Sequence, residues 1–488
     1  MSAYEDVSAR QTQWWRNEGI YMGYEIEPPK DENHLLRGAW VCNGVTGYYR
    51  GDRHIATIGP NGSGKTRRLL MPNLYTLKDW SCVVIDPKGE LVGHTALYRA
   101  ALPGHRVVIF DPFNIVAETY PELVAKHGAT LARHGFNPMA AALDPESPRF
   151  VDAAKAIAEA LIKTDDARDP YWPMAAQSLL KGLLLGLSLH LGGDASLTHL
   201  RASLGQPPKV FAQTCRMLID AHGGRCSALA PSLSRFVDYS ADNKELGAIL
   251  GTALVQTDWL DSPEIQASLK GGSFDFASLK TQPTTVYLVL PPEFLATHGV
   301  WLRLMITSVL RPLLRSVAAN DKTAPVLFML DEFAQLGHMK IIEDNYALMR
   351  GYGVKLWTIW QDLNQAKTIY SERWESFISN AGIVQSFAPQ DHTTRQYLSD
   401  LADDRLAWHE VQSFTGSGGL DLKSMSSSAA VSKTSITEPL MYPYELGQMK
   451  QGHAVAFTQR GEVLRRYFPD VSHPAFDALP AEVRARSV

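Results

Sequence analysis

Cysteine is scarce in this chain of 488 residues: there are four, Cys42, Cys82, Cys215 and Cys226, and no two stand in a CxxC spacing. That excludes a disulfide framework and a zinc-ribbon site, and fits a reducing compartment. Long apolar runs are missing as well. The nearest, 179–191, falls short of the ~18–20 residues a membrane span needs and contains Lys181 and His190. Residues 1–16 are polar and mixed in charge, so they do not read as a secretory signal. Neither sign of charge is in excess: 47 Lys and Arg against 51 Asp and Glu leave a formal net charge of −4, which argues against a globally basic nucleic-acid binder. The histidines form no HExxH and no serine sits in GxSxG, so zinc-hydrolase and nucleophile-elbow chemistry have no support. At 45% hydrophobic and 20% charged residues, what remains is a large globular protein with enough chain for a sizeable core.

Seven short, β-branched apolar runs stand at 54–59, 82–85, 107–110, 285–290, 326–330, 354–360 and 383–387. Strands buried on both faces of a parallel sheet read this way. Helix-forming stretches follow most of them, as at 65–75 and 301–314, and this alternation predicts an α/β fold with a mainly parallel sheet. Between 150 and 280 the texture changes. Ala, Leu, Lys and Glu recur at helical spacing and strand-like runs vanish, which predicts an all-α inserted domain marked off by Pro145, Pro148, Gly271 and Gly272. The segment 413–437 is rich in Ser, Gly and Thr and reads as a flexible loop. Pattern resumes at 453–458 and 463–468, as a terminal hairpin.

The sequence GPNGSGKT at 59–66 is a full GxxxxGK[ST] match between an apolar run and a helix, the setting in which this pattern forms a P-loop. The backbone of Gly59, Pro60, Asn61, Gly62, Ser63 and Gly64 is expected to turn its N–H groups inward as an anion nest. Lys65 supplies a point charge to the β- and γ-phosphates of ATP, and Thr66 a hydroxyl to Mg²⁺. The run VLFML at 326–330 ends in Asp331 and Glu332, the Walker B arrangement. Asp331 is expected in the metal shell and Glu332 on the attacking water, which favours an ATPase over a simple binder. The run 354–360 ends in Gln361, which is either a γ-phosphate sensor or an ordinary polar strand end. Arg67 and Arg68, next to the P-loop, either face phosphate or cover the helix surface, and the surface reading is favoured. Trp14, Trp15, Tyr21 and Met22 give an aromatic start that packs on its own domain or touches a partner or membrane interface. The chain then divides into an N-terminal extension (1–52), a nucleotide-binding domain in two parts (53–149 and 281–470) split by the all-α insertion (150–280), and a C-terminal tail (471–488).

Taken in order, VVIDPKGEL (83–91), VVIFDPFN (107–114), FNP (136–138), FMLDEFAQLG (328–337), GYGVKLWTIWQDLNQAKTIY (351–370), ISNAG (378–382) and the stretch 437–468 resemble the coupling ATPases of type IV secretion and conjugation, the TraG/VirD-like coupling proteins. The resemblance covers about 53–468. It implies a RecA-like P-loop core with an all-α domain, using ATP and Mg²⁺ and assembling as a ring, a homo-hexamer. Such a ring recruits DNA, single-stranded in the leading form, with its relaxase or a protein substrate, and delivers it to type IV secretion channel components. Its place is the cytoplasm, peripheral at the inner membrane. Residue by residue, Lys65 and Thr66 match the phosphate and metal residues, Asp331 and Glu332 the Walker B pair, and Gln361 the sensor glutamine. Arg350 lies near the place of a trans-acting arginine finger, with Arg303 and Arg395 as rivals. Such proteins commonly begin with a transmembrane hairpin, and none is read in this sequence, so membrane contact is expected through partners or periphery. A net charge of −4 then requires basic charge to be concentrated where the ring meets DNA. Two other readings stay open: an ATP-gated adaptor that recruits protein substrates, and a soluble RecA-like ATPase of DNA processing.

Overall fold

The computed structural model describes residues 19–27, 41–164, 169–240, 242–272, 274–315, 324–416 and 427–472. In chain order the strands are β1 (Ile20–Glu27), β2 (Val41–Tyr49), β3 (His54–Ile58), β4 (Ser81–Ile85), β5 (Arg106–Phe110), β6 (Thr284–Leu288), β7 (Val326–Leu330), β8 (Val354–Trp360), β9 (Ala381–Ser386), β10 (Asp404–Gly416), β11 (Ser427–Pro439), β12 (His453–Thr458) and β13 (Val463–Tyr467). Eleven of them form one sheet in the order β2-β1-β13-β12-β9-β3-β8-β7-β4-β6-β5. The stretch from β9 to β5 is parallel throughout, and β12, β13, β1 and β2 extend it antiparallel.

Strand alternation divides the interior in two. Ala56, Ile58, Val83 and Ile85 face one hydrophobic core, while Ile55, Cys82 and Val84 face the other. Parallel strands need a crossover of a dozen or more residues, and the helices that make these crossovers cover both faces, so central runs such as 82–85 and 326–330 are apolar along their whole length.

The chain leaves the sheet at edge strand β5 and returns at its neighbour β6. Between them lie the helices Phe150–Leu161, Tyr171–Leu191, Pro208–His222 and Lys244–Gln256, among shorter ones. The apolar segment Tyr171–Asp194, alone among the described residues in having the length and hydropathy to cross a membrane, is more than half buried inside this helical unit. Leu179, Leu180, Leu183 and Leu184 are fully enclosed there, as a helix apolar on most sides requires.

The structure corrects the sequence reading in two places. The segment 413–437 is not a loop over most of its length: β10 and β11 pair antiparallel from Asp404↔Pro439 to Gly416↔Ser427, and 417–426 lie outside the described residues. The ladder between the two strands satisfies their backbone, while a Ser- and Thr-rich composition imitates a linker. The N-terminal extension, over 20–27 and 41–49, is part of the sheet: β1 pairs with β13 and β2 with β1. Tyr21 and Met22 are buried in that sheet's core; Trp14, Trp15 and the tail beyond 472 lie outside the described residues.

His54, at the start of β3, accepts a hydrogen bond at Nδ1 from the Leu356 N–H (3.0 Å) and turns Nε2 to the Tyr346 carbonyl at 2.5 Å. Only the neutral ring with its proton on Nε2 satisfies both. Burial pushes its pKa down to about 4, with Lys355 and Arg350 adding to the effect. The unfolded ring takes its proton near pH 6.5, so the stability His54 confers is complete above that pH and is lost as pH falls toward 4. In urea unfolding, His54→Gln is expected to be less stable than the wild type at pH 7.5, and the gap to narrow at pH 5. A gap that stays constant between the two would contradict the assignment.

Candidate nucleotide-binding site

The P-loop begins where β3 ends. Gly59 N–H donates to the Trp360 carbonyl at 2.9 Å, tying the loop to the end of β8. Gly62 and Gly64 hold φ of 79° and 86°, where a Cβ is strained. The chain then enters Thr66–Leu70, wound as a π turn, and continues as Met71–Thr76; π turns recur where a helix must re-aim groups at a ligand. Lys65 is buried, with Nζ donating to the carbonyls of Gly59 (2.7 Å) and Pro60 (3.1 Å). Burial lowers its pKa, and Asp331 and Glu332 oppose that fall. The Ser63 hydroxyl is buried without a hydrogen-bond partner among the described residues. A cation, an orphaned hydroxyl and a glycine-turned loop together suit a polyphosphate.

Strand β8 lies between β3 and β7 in the sheet, so the carboxyl ends of all three meet. From β7 comes Asp331, buried, with its pKa pushed up to about 6 by burial against the opposing pull of Lys65. Glu332 follows in the left-handed region, at φ 53°, a conformation that costs a non-glycine residue on the order of 1–2 kcal/mol. Its N–H donates to Asp331 Oδ1 (3.1 Å), and its carboxylate accepts from Gln361 Nε2 (2.8 Å) at the end of β8. The Gln361 N–H in turn donates to Gln365 Oε1 (3.1 Å). The structure thus brings Lys65, Asp331, Glu332 and Gln361 together from three adjacent strand ends.

Arg350 is not among them. It is exposed, in the turn Met349–Tyr352 that opens β8, so the length of that strand, roughly 20 Å, separates it from its own P-loop. Arg303 is buried and donates to the carbonyls of Ala160 (3.4 Å), Leu336 (3.2 Å) and His338 (2.7 Å), a structural role. Arg395 donates to the Asp391 carbonyl (3.4 Å) of its own helix start. Arg67 and Arg68 do not simply cover the helix surface. Arg67 holds Asp470 at both carboxylate oxygens (3.1 and 2.9 Å), and Arg68 donates to the Phe468 carbonyl (2.9 Å).

Sequence reasoning missed Asp86. It ends β4, the strand beside β7, and is almost fully buried, accepting the Val92 N–H at 2.8 Å. Burial pushes its pKa up to about 7, and the charges of Glu90 and Asp331 add to the rise. Lys88 of the same DPKGE turn acts in the opposite sense on Asp331. The signal was present: a carboxylate ending a buried strand, repeated at Asp111, which receives the Ile115 and Val116 N–H groups (3.0 and 2.9 Å).

A P-loop and a Walker B pair meeting on a mainly parallel sheet, with an all-α unit inserted at its edge, define a RecA-like P-loop α/β fold. More narrowly, the chain belongs to the type IV secretory system conjugative DNA transfer family, whose model matches residues 8–466. It is 26% identical over 430 residues to the conjugal transfer protein TraG of Rhizobium radiobacter, covering 85% of this chain and 61% of that protein. To protein VirD4 of Rhizobium radiobacter it is 26% identical over 373 residues, 75% of this chain and 49% of that one. The chain thus spans roughly half to three fifths of the length of these curated relatives. The solved bacterial conjugative coupling protein TrwBdeltaN70 shares the fold at a TM-score of 0.63 and 15% identity, over 93% of this chain and 97% of that one. Plasmid coupling protein TrwB in complex with ADP and Mg²⁺ does so at 0.60, with the same identity and coverage.

Asp86 supplies a pH test of this cluster. Because the folded state raises its pKa from 3.8 to about 7, the fold keeps its full contribution below pH 4 and loses it as pH rises through 7. Asp86→Asn retains an acceptor for Val92 and carries no charge. In urea unfolding without nucleotide or metal, the variant is expected to gain on the wild type between pH 5 and pH 8; equal gains at both would refute the buried carboxylate's role.

Proposed function

We propose that this chain is the nucleotide-driven motor of a conjugative coupling protein. It binds ATP with Mg²⁺, hydrolyses it, and moves DNA, single-stranded and carrying a relaxase or protein substrate, toward a type IV secretion channel. It would work as a homo-hexameric ring, cytoplasmic and peripheral at the inner membrane. The observation that carries the reading is the Gln361–Glu332 hydrogen bond (2.8 Å) directly beside Asp331. It orients a carboxylate, held in a costly backbone conformation, at the mouth of a P-loop, where an enzyme needs a base for water. The family's name and the ADP and Mg²⁺ of the TrwB complex support it.

In this reading Gly59 to Thr66 cradle the phosphates, with Lys65 leaving the carbonyls of Gly59 and Pro60 for the γ-phosphate. Thr66 and Asp331 would hold Mg²⁺, which when bound neutralises phosphate charge. Asp331, with a pKa near 6, ionises fully as a cation approaches. Glu332 draws the proton from water and Gln361 senses the γ-phosphate. Arg350, at the far end of β8, would serve the neighbouring subunit's site rather than its own, which a ring makes possible. The division at 150 and 280 is also our reading, supported by β5 and β6 being neighbours across the insertion.

ATP turnover measured at low salt with and without single-stranded DNA tests the whole. DNA is expected to accelerate turnover. Lys65→Ala should abolish nucleotide binding, and Glu332→Gln should bind but turn over about a hundredfold more slowly or worse. Arg350→Ala should bind ATP and lose about a thousandfold in rate, with activity partly restored when Arg350→Ala and Lys65→Ala subunits are mixed. Wild-type turnover in Arg350→Ala would remove it from the site.

A further inference from the structure

A cleft of about 690 Å³ opens between the helical unit and the segment that follows Walker B, and neither the P-loop nor its partners line it. Its walls bring together Lys155 of helix Phe150–Leu161, Lys181 of helix Tyr171–Leu191, Arg303 and Arg311 of helix Pro292–Leu313, and Lys340 of helix Lys340–Asn345. Among the described residues that line it, two carboxylates, Glu159 and Asp344, stand against these five cations. Glu159 lies 3.8 Å from Lys155, and Asp344 lies 3.8 Å from Arg373. Lys181, Arg311 and Lys340 make no ion pair among the described residues.

Arg311 is the telling member. Its Nε is buried and has no hydrogen-bond partner among the described residues; burial, then Arg315, work against its charge, while Asp152 and Glu159 oppose them. A desolvated guanidinium edge without an acceptor is costly, and its planar fork matches the oxygens of a phosphate. The volume falls within the range of sites that hold a nucleotide-sized unit. One wall of the cleft is tied to the segment that follows Glu332. Arg303, in its wall, donates to the carbonyls of Leu336 and His338, on the segment that begins at Glu332.

We propose that this cleft binds phosphate groups, in the first place those of a single-stranded nucleic-acid backbone, held by Arg311, Lys181 and Lys340. A free polyphosphate offers the same chemistry. The nucleic-acid source rests on the function proposed above; the phosphate site does not.

The test uses the full chain and the double variant Lys181→Glu/Lys340→Glu, with Lys181→Ala/Lys340→Ala as a milder second variant. ADP binding at the P-loop serves as the check that each is folded. Fluorescence anisotropy with a labelled thymidine 20-mer is expected to show affinity about tenfold or more weaker in the variants. The slope of log affinity against log salt should be shallower by about 1.4, two phosphate contacts at ~0.7 each. Wild type and both variants binding the oligonucleotide alike would overturn the cleft and leave the proposed motor standing. If the wild type binds no oligonucleotide, calorimetry with pyrophosphate in a Lys65→Ala background decides. Binding that the cleft substitutions abolish upholds the phosphate site and removes DNA as its source; absence of binding, or binding they leave intact, overturns it.

Discussion

The Thr57 hydroxyl, fully buried in the middle of β3, receives two hydrogen bonds from opposite sides: Trp357 Nε1 from β8 and Gln385 Nε2 from β9, both at 2.8 Å. In a dry sheet interior these polar groups have no water to fall back on, so misalignment leaves them unsatisfied at about 1–3 kcal/mol each. A slip of one residue between strands would also exchange the two cores, since alternate side chains face opposite sides. The register Ile55↔Trp357 and Thr57↔Gln385 is therefore strongly specified. Everything at the site follows from it, because β3 carries the P-loop and β8 carries Gln361.

With β8 held in place, the other demand is the backbone of Glu332. A glutamate at φ 53° needs its surroundings to hold it there. The next residue does so: Phe333 is buried edge-on to Trp360 at 4.8 Å and stacked on Tyr370 at 6.2 Å, with Phe377 at 5.8 Å. Aromatic contacts of this kind add to the area they bury. Glu332 thus stands between an anchored Phe333 and a hydrogen bond to Gln361, and the strain is sustained from both sides. The same aromatic cluster reaches Tyr346 through Phe377 at 4.6 Å, and His54 packs on Tyr346 at 4.1 Å, close to the turn bearing Arg350.

How far a sequence discloses such a structure depends on whether the information is local. The strands of the parallel sheet were legible because burial on both faces writes itself as an uninterrupted apolar run, as in 82–85 and 326–330. The P-loop pattern and the Asp331–Glu332 pair could be picked out because each sets particular residue types at fixed short spacing. The ribbon of β10 and β11 was not legible, since ladder hydrogen bonds satisfy its backbone while its Ser- and Thr-rich second half carries no apolar run to mark a strand. Nor were the roles of Arg67 and Arg68, whose partners Asp470 and Phe468 are four hundred residues away in the chain. Asp86 fell between these cases: its residue type and place were visible, while its meaning depended on β4 lying next to β7.

Charge shows the same divide most sharply. A formal net charge of −4 over 488 residues says little about what the surface attracts, because at physiological salt a charge acts over about 8 Å. A polyanion responds to the groups within that distance of its path, and those are set by folding. Residues 155, 181, 311 and 340 show no basic run in the sequence, each flanked by apolar or acidic neighbours on its own segment. The inserted helical unit brings them to one cleft because it leaves from β5 and returns beside it at β6, so its first and central helices face helix Pro292–Leu313 and the segment after Walker B. A near-neutral protein can in this way present a locally cationic site without the self-repulsion that a high net charge would impose on the whole fold.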